Sequence, residues 1–178
     1  AHNNLGILFM ELGQYQKSIE CFERAIIINP KYADAHNNLG VVYKNLGEYR
    51  KSIKCFERAI IIIPKYADAH NNLGIVYKNL REYQKSVECF EQTIAIKPQY
   101  ADAYNNLGLI YRELGNFEKE INYYKKTIEI QNNHSIAHYN LGNAYKALGD
   151  FNKAITSYEK SISYKSENLL YYYNLSGL

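Results

Sequence analysis

The sequence predicts an all-α fold of stacked antiparallel helix pairs, and three observations predict it. The ten residues KYADAHNNLG at 31–40 return letter for letter at 65–74, then as QYADAYNNLG at 99–108 and in reduced form as HYNLG at 138–142. Fixed-period self-similarity of this kind is the mark of a repeat architecture. The period is 34 residues without insertion, so Asn38, Asn72, Asn106, Asn140 and Asn174 share one column and Leu39, Leu73, Leu107, Leu141 and Leu175 the next. Each period also divides into two stretches with helical apolar spacing, and no stretch shows the alternation of a strand.

Residues 1–32 read as a partial repeat, 33–66, 67–100, 101–134 and 135–168 as full repeats, and 169–178 as the start of another, all in one solenoid spanning 1–178. In the unit 33–66, Ala35, Leu39, Tyr43 and Leu46 fall on one face of a first helix. Tyr49, Ser52, Ile53, Phe56, Ala59, Ile60 and Ile63 form the apolar face of a second, with Lys51, Lys54 and Arg58 opposite. Gly47 separates the two, as Gly13, Gly115 and Gly149 do elsewhere, and suits the left-handed residue that closes many helices. Arg81 occupies that column in the third unit and is expected to be strained. Pro64 stops the second helix. A hairpin this small cannot bury its apolar seam alone and must stack on its neighbours.

Leu39, Gly40 and Tyr43, followed by Ser52, Phe56, Ala59 and Pro64, give the chain a pattern that resembles the tetratricopeptide repeat family over essentially its whole length. His36 and His70 stand where the family often has tryptophan, and Asn132 replaces the proline supplied by Pro30, Pro64 and Pro98. The resemblance implies a right-handed superhelical solenoid whose first helices line a concave groove.

Composition sets further bounds. The 178 residues are 47% hydrophobic and 22% charged, with a net charge of +3 and no run long enough to span a bilayer. Cys21, Cys55 and Cys89 lie one per repeat, too far apart to pair, and an odd set of free thiols suits a reducing, cytoplasmic setting. The last ten residues, LLYYYNLSGL, begin a helix without its hairpin partner; Leu169, Leu170, Tyr171, Tyr172 and Leu175 are expected to make the end adhesive and to favour end-to-end self-association.

Catalysis is not expected. His2, His36, His70 and His138 form a column, but one imidazole per repeat does not converge on a metal. No nucleophile–base spacing or phosphate loop is present, so no catalytic residue, metal or cofactor is predicted.

Function is therefore expected on a surface. Asp34, Asn37, Asn38, Val41, Lys44 and Asn45 form a second stripe on the first helix, away from Leu39 and Tyr43. Asn38, Asn72, Asn106 and Asn140, with Asn37, Asn71 and Asn105 beside them, offer primary amides that both donate and accept. Such a ladder either holds the backbone of an extended peptide, similar to the superhelical arm of the O-linked N-acetylglucosamine transferases, or bonds to the neighbouring helix. Lys44, Lys78, Arg112 and Lys146 form a basic row suited to acidic side chains, or else a solvated edge. Asp34, Asp68 and Asp102 suit the helix dipole at their N-termini. Towards the carboxy terminus the stripe turns apolar and aromatic, with Ile136 and Tyr139, then Leu170 and Tyr173.

The expected function is a non-enzymatic scaffold that binds an extended, acidic protein or peptide segment. A substrate-recruiting arm of a larger enzyme, such as a glycosyltransferase, is the alternative. An RNA-binding repeat comes last, because a net charge of +3 gives little electrostatic footprint; neither nucleic acid nor membrane is expected as a partner.

Overall fold

The computed structural model describes residues 1–164, which form ten α-helices and no strand. They are α1 (His2–Glu11), α2 (Tyr15–Ile28), α3 (Ala33–Asn45), α4 (Tyr49–Ile62), α5 (Ala67–Asn79), α6 (Tyr83–Ile96), α7 (Ala101–Glu113), α8 (Phe117–Ile130), α9 (Ser135–Ala147) and α10 (Phe151–Tyr164). The chain groups into two compact units, Ala1–Lys97 and Pro98–Leu178. In the first, α1 pairs with α2, α3 with α4 and α5 with α6, while α2 packs on α3 and α4 on α5. In the second, α7 pairs with α8, α9 with α10, and α8 packs on α9. The expected start of a further repeat at 169–178 lies outside the described residues.

The turns between paired helices take the expected geometry. Gly13, Gly47, Gly115 and Gly149 have φ of 69, 75, 70 and 76°, and Arg81 is forced to the same region at φ 60°. The bond from Glu48 N to Tyr43 O at 2.9 Å closes this turn in α3–α4, as Glu82 N to Tyr77 O does after Arg81.

Each hairpin is locked by a glycine opposite an aromatic ring. A Cβ built on Gly40 would stand 2.7 Å from Phe56 Cε1, so only glycine lets α3 and α4 approach this closely. The same helices are tied by a buried hydroxyl: Ser18, Ser52 and Ser86 donate to the carbonyls of Gly6, Gly40 and Gly74 at 2.7, 2.8 and 2.7 Å. Phe22, Phe56, Phe90, Tyr124 and Tyr158 are fully buried at the centre of their hairpins.

Two expected core residues are not buried. Leu46 is 43% exposed and Ile63 44% exposed. Both are C-cap residues, where the chain leaves the helix and the periodic face no longer points at a neighbour. Val42, Val76 and Ile110 are fully buried instead.

Candidate functional site

The repeated asparagines are bonded to one another across adjacent first helices. In the first unit, Asn38 Nδ2 donates to Asn3 Oδ1 at 3.1 Å and Asn72 Nδ2 to Asn37 Oδ1 at 3.2 Å. In the second, Asn140 Nδ2 donates to Asn105 Oδ1 at 3.1 Å. The leading column, Asn3, Asn37, Asn71 and Asn105, is buried. Asn38 and Asn72 are half-buried, while Asn106 and Asn140 are buried. The amide pair therefore joins neighbouring hairpins. Each donating amide uses one N–H in this bond and keeps a second, because a primary amide carries two.

A second set of bonds runs along the starts of the first helices. Tyr66 donates its hydroxyl to Asp34 Oδ1 at 2.7 Å, and His134 Nε2–H donates to Asp102 Oδ1 at 3.1 Å. This bond holds the Asp102 carboxyl below the usual carboxylate range, against the opposing effect of burial. Burial, then the Asp34 contact, push the Tyr66 hydroxyl up. His134 also caps α9, its Nδ1 accepting from Ala137 N at 3.1 Å. The aspartates thus meet both the helix dipole and the preceding loop of the next hairpin. Sequence reasoning missed Tyr66 and His134 as their partners; the signal was that positions 66 and 134 each follow the aspartate by 32 residues.

The histidine column is packed, not convergent. His36, His70 and His138 donate through Nε2 to the carbonyls of Pro30, Pro64 and Asn132 at 3.1, 3.0 and 2.8 Å. Burial holds His138 below the ordinary histidine range, more than its bond to Asn132 raises it. Among the described residues no cluster of three histidine, cysteine or acidic side chains could hold a metal.

The basic row is not uniform. Lys44 is half-buried, burial lowers its pKa, and it makes no ion pair or hydrogen bond among the described residues. Lys78 and Lys146 are half-buried, whereas Arg112 is exposed and lies 3.6 Å from Glu113. A different lysine in each hairpin covers the first-helix aromatic: Lys51 stands 5.1 Å from the Tyr43 ring centre and Lys119 4.7 Å from Tyr111. At the later end, Ile136 is 47% exposed and Tyr139 packs 5.9 Å from Tyr158. Leu170 and Tyr173 lie outside the described residues.

No described helix is long and apolar enough to cross a membrane. Comparison with known proteins places these features in a family. A model described as TPR repeat matches residues 6–47, and models described as tetratricopeptide repeat match 66–133 and both 33–66 and 135–168. No curated protein matches in sequence. Among solved structures, a crystal structure of MamA is 25% identical with a TM-score of 0.78, covering 91% of this chain and 95% of that one. A Pseudomonas aeruginosa pilF structure is 18% identical with a TM-score of 0.88, covering 96% and 78%. YrrB, described as a TPR protein with an unusual peptide-binding site, is 19% identical with a TM-score of 0.74, covering 99% and 91%. With recurring glycine–aromatic hairpins, left-handed inter-helix turns and family models matching most of its length, the chain belongs to the tetratricopeptide repeat family, whose fold serves as a protein-interaction scaffold.

Proposed function

We propose that the first-helix stripe binds an extended, acidic segment of a partner protein. The observation that carries this reading is Lys44: a half-buried ammonium one turn and a half beyond Asn38, with no anion beside it among the described residues. Removing an ammonium from water is unfavourable without compensation, so a carboxylate arriving there gains more than it would at an exposed lysine. Asn38 and Asn72 supply the complementary part, since the N–H left over from each inter-helix bond can meet a peptide carbonyl. In the second unit Asn140, Lys146 and Tyr139 take the corresponding positions, with the tyrosine offering apolar contact. Lys78 and Arg112 extend the basic rows of their own units.

The test uses fluorescein-labelled capped peptides, one alternating glutamate with serine and one with glutamine in place of glutamate. Anisotropy should show tighter binding of the glutamate peptide, and Lys44→Gln should remove most of the difference. Equal affinities for the two peptides would overturn the reading.

The three free thiols suit a reducing compartment such as the cytoplasm.

A further inference from the structure

On the first unit, away from the asparagine stripe, a furrow of about 730 Å³ opens between α4 and α6 with α5 beneath it. Ile60, Leu73 and Cys89 supply apolar surface, and Ile61, 67% exposed, extends it to the outside. Scattered exposed aliphatics are ordinary, but one continuous with a furrow of this size marks a place where a partner can exclude water.

The charge of the furrow has a direction. Glu57 and Glu88 both line it and are exposed. Lys85, the lysine in the lining, is already held by Glu82 at 2.6 Å and stands 5.2 Å from the centre of the Tyr77 ring. Glu88 accepts only the neutral amide of Gln84, at 3.0 Å, and Glu57 makes no ion pair or hydrogen bond among the described residues. The His70 ring has its Nε2–H committed to Pro64 O. Two carboxylates therefore border an apolar floor, and Lys85, the cation near Glu57, is already paired with Glu82.

The repeat itself supplies the control. Gln92 also lines the furrow, and one period earlier the positions of Glu57, Glu88 and Gln92 are Glu23, Lys54 and Arg58. A lysine and an arginine at the earlier junction become a glutamate and a neutral glutamine at this one, while Lys51 and Lys85 are common to both. Architecture alone asks for neither pattern, since all the side chains concerned are exposed.

We infer that the furrow between α4 and α6 is a second docking site, which takes a partner segment carrying a large apolar side chain next to a lysine or arginine. The apolar side chain covers Ile60, Ile61 and Leu73, and the cation reaches Glu57 and Glu88 while its own methylene stem lies on the floor. Exposed ion pairs contribute modestly, so the apolar contact supplies most of the affinity and the carboxylates supply the choice of sign. The charge preference is opposite to that of the Lys44 stripe. The two sites therefore select different segments, and this inference stands whether or not the stripe binds acidic peptides.

Two capped dipeptides, acetyl-Leu-Arg-amide and acetyl-Leu-Glu-amide, are titrated into the isotope-labelled chain and followed by two-dimensional amide NMR. Saturable shifts are expected at Ile61, Leu73, Tyr77 and Cys89 with the arginine peptide, and affinity at least about threefold weaker with the glutamate peptide. The double variant E57Q/E88Q should bring the two peptides to equal affinity, and Ile61→Ser should weaken both. These substitutions are at exposed positions, and an unchanged melting curve verifies the fold of each variant. Equal response of the wild-type chain to both peptides, or an arginine preference that survives in E57Q/E88Q, would overturn the inference. So would concentration-dependent shifts at the furrow without peptide, which would make its occupant a second copy of the chain.

Discussion

The Asn140 amide donates to the Asn105 carbonyl oxygen at 3.1 Å across two first helices, and both side chains are buried. Asn140→Ala should therefore lower stability by about 0.5–1.5 kcal/mol for the lost bond, more if the Asn105 oxygen stays dry, less alanine's small advantage in helix propensity. Asn72→Ala, which removes the donor to Asn37, should act in the same direction. Denaturant melts measure both, and a gain in stability for either variant would mean its bond contributes nothing.

Arg81 adopts φ 60° where Gly13, Gly47, Gly115 and Gly149 carry the same turn. A left-handed residue with a Cβ is disfavoured by roughly 1–2 kcal/mol, so Arg81→Gly should raise the melting temperature, offset in part by glycine's greater unfolded freedom. A lower melting temperature would show that the arginine side chain contributes more than the turn strains.

Glu120 sits fully buried where Ser18, Ser52 and Ser86 stand, and neither carboxyl oxygen has a hydrogen-bond partner among the described residues. Burial pushes its pKa up, with Arg112 opposing. The folded chain thus holds a proton that the unfolded chain releases above about 4.3. This contribution to stability is whole below that value and is lost as pH rises through the folded pKa. Glu120→Ser should remove this part of the pH dependence, restore the bond to the Gly108 carbonyl that Ser52 makes to Gly40, and stabilise the chain near neutral pH by about 1–3 kcal/mol. Melting curves from pH 4 to 8 for both chains test this; a variant less stable at pH 7 would contradict it.

Binding through the basic row should weaken with salt, because exposed charge is screened over about 8–10 Å at physiological ionic strength. The triple variant K44Q/K78Q/K146Q should flatten the salt dependence measured with the glutamate–serine peptide. An unchanged slope would return the row to a solvated edge.

The hairpins, their turns and their order were legible in sequence because they follow from local periodicity. Leu39, Phe56 and Gly47 recur at fixed offsets, and neither a helical face nor a left-handed turn needs a distant residue to define it. The strain at Arg81 could be read the same way, from a glycine column broken once.

The site was less legible. Periodicity put Asn37 and Asn38 on one polar stripe, since they are adjacent and alike. Only stacking of α3 between α1 and α5 buries the first and leaves the second half-open. Likewise, the pairing of Asp34 with Tyr66, and the dry carboxyl of Glu120, depend on which hairpin face lies opposite. The sequence by itself determined the repeat and its register, because side-chain direction along a helix is fixed by the 3.6-residue turn. The tertiary structure alone decided which polar groups join hairpins and which remain open, because burial and hydrogen-bond partners belong to pairs of helices and a single period describes only one.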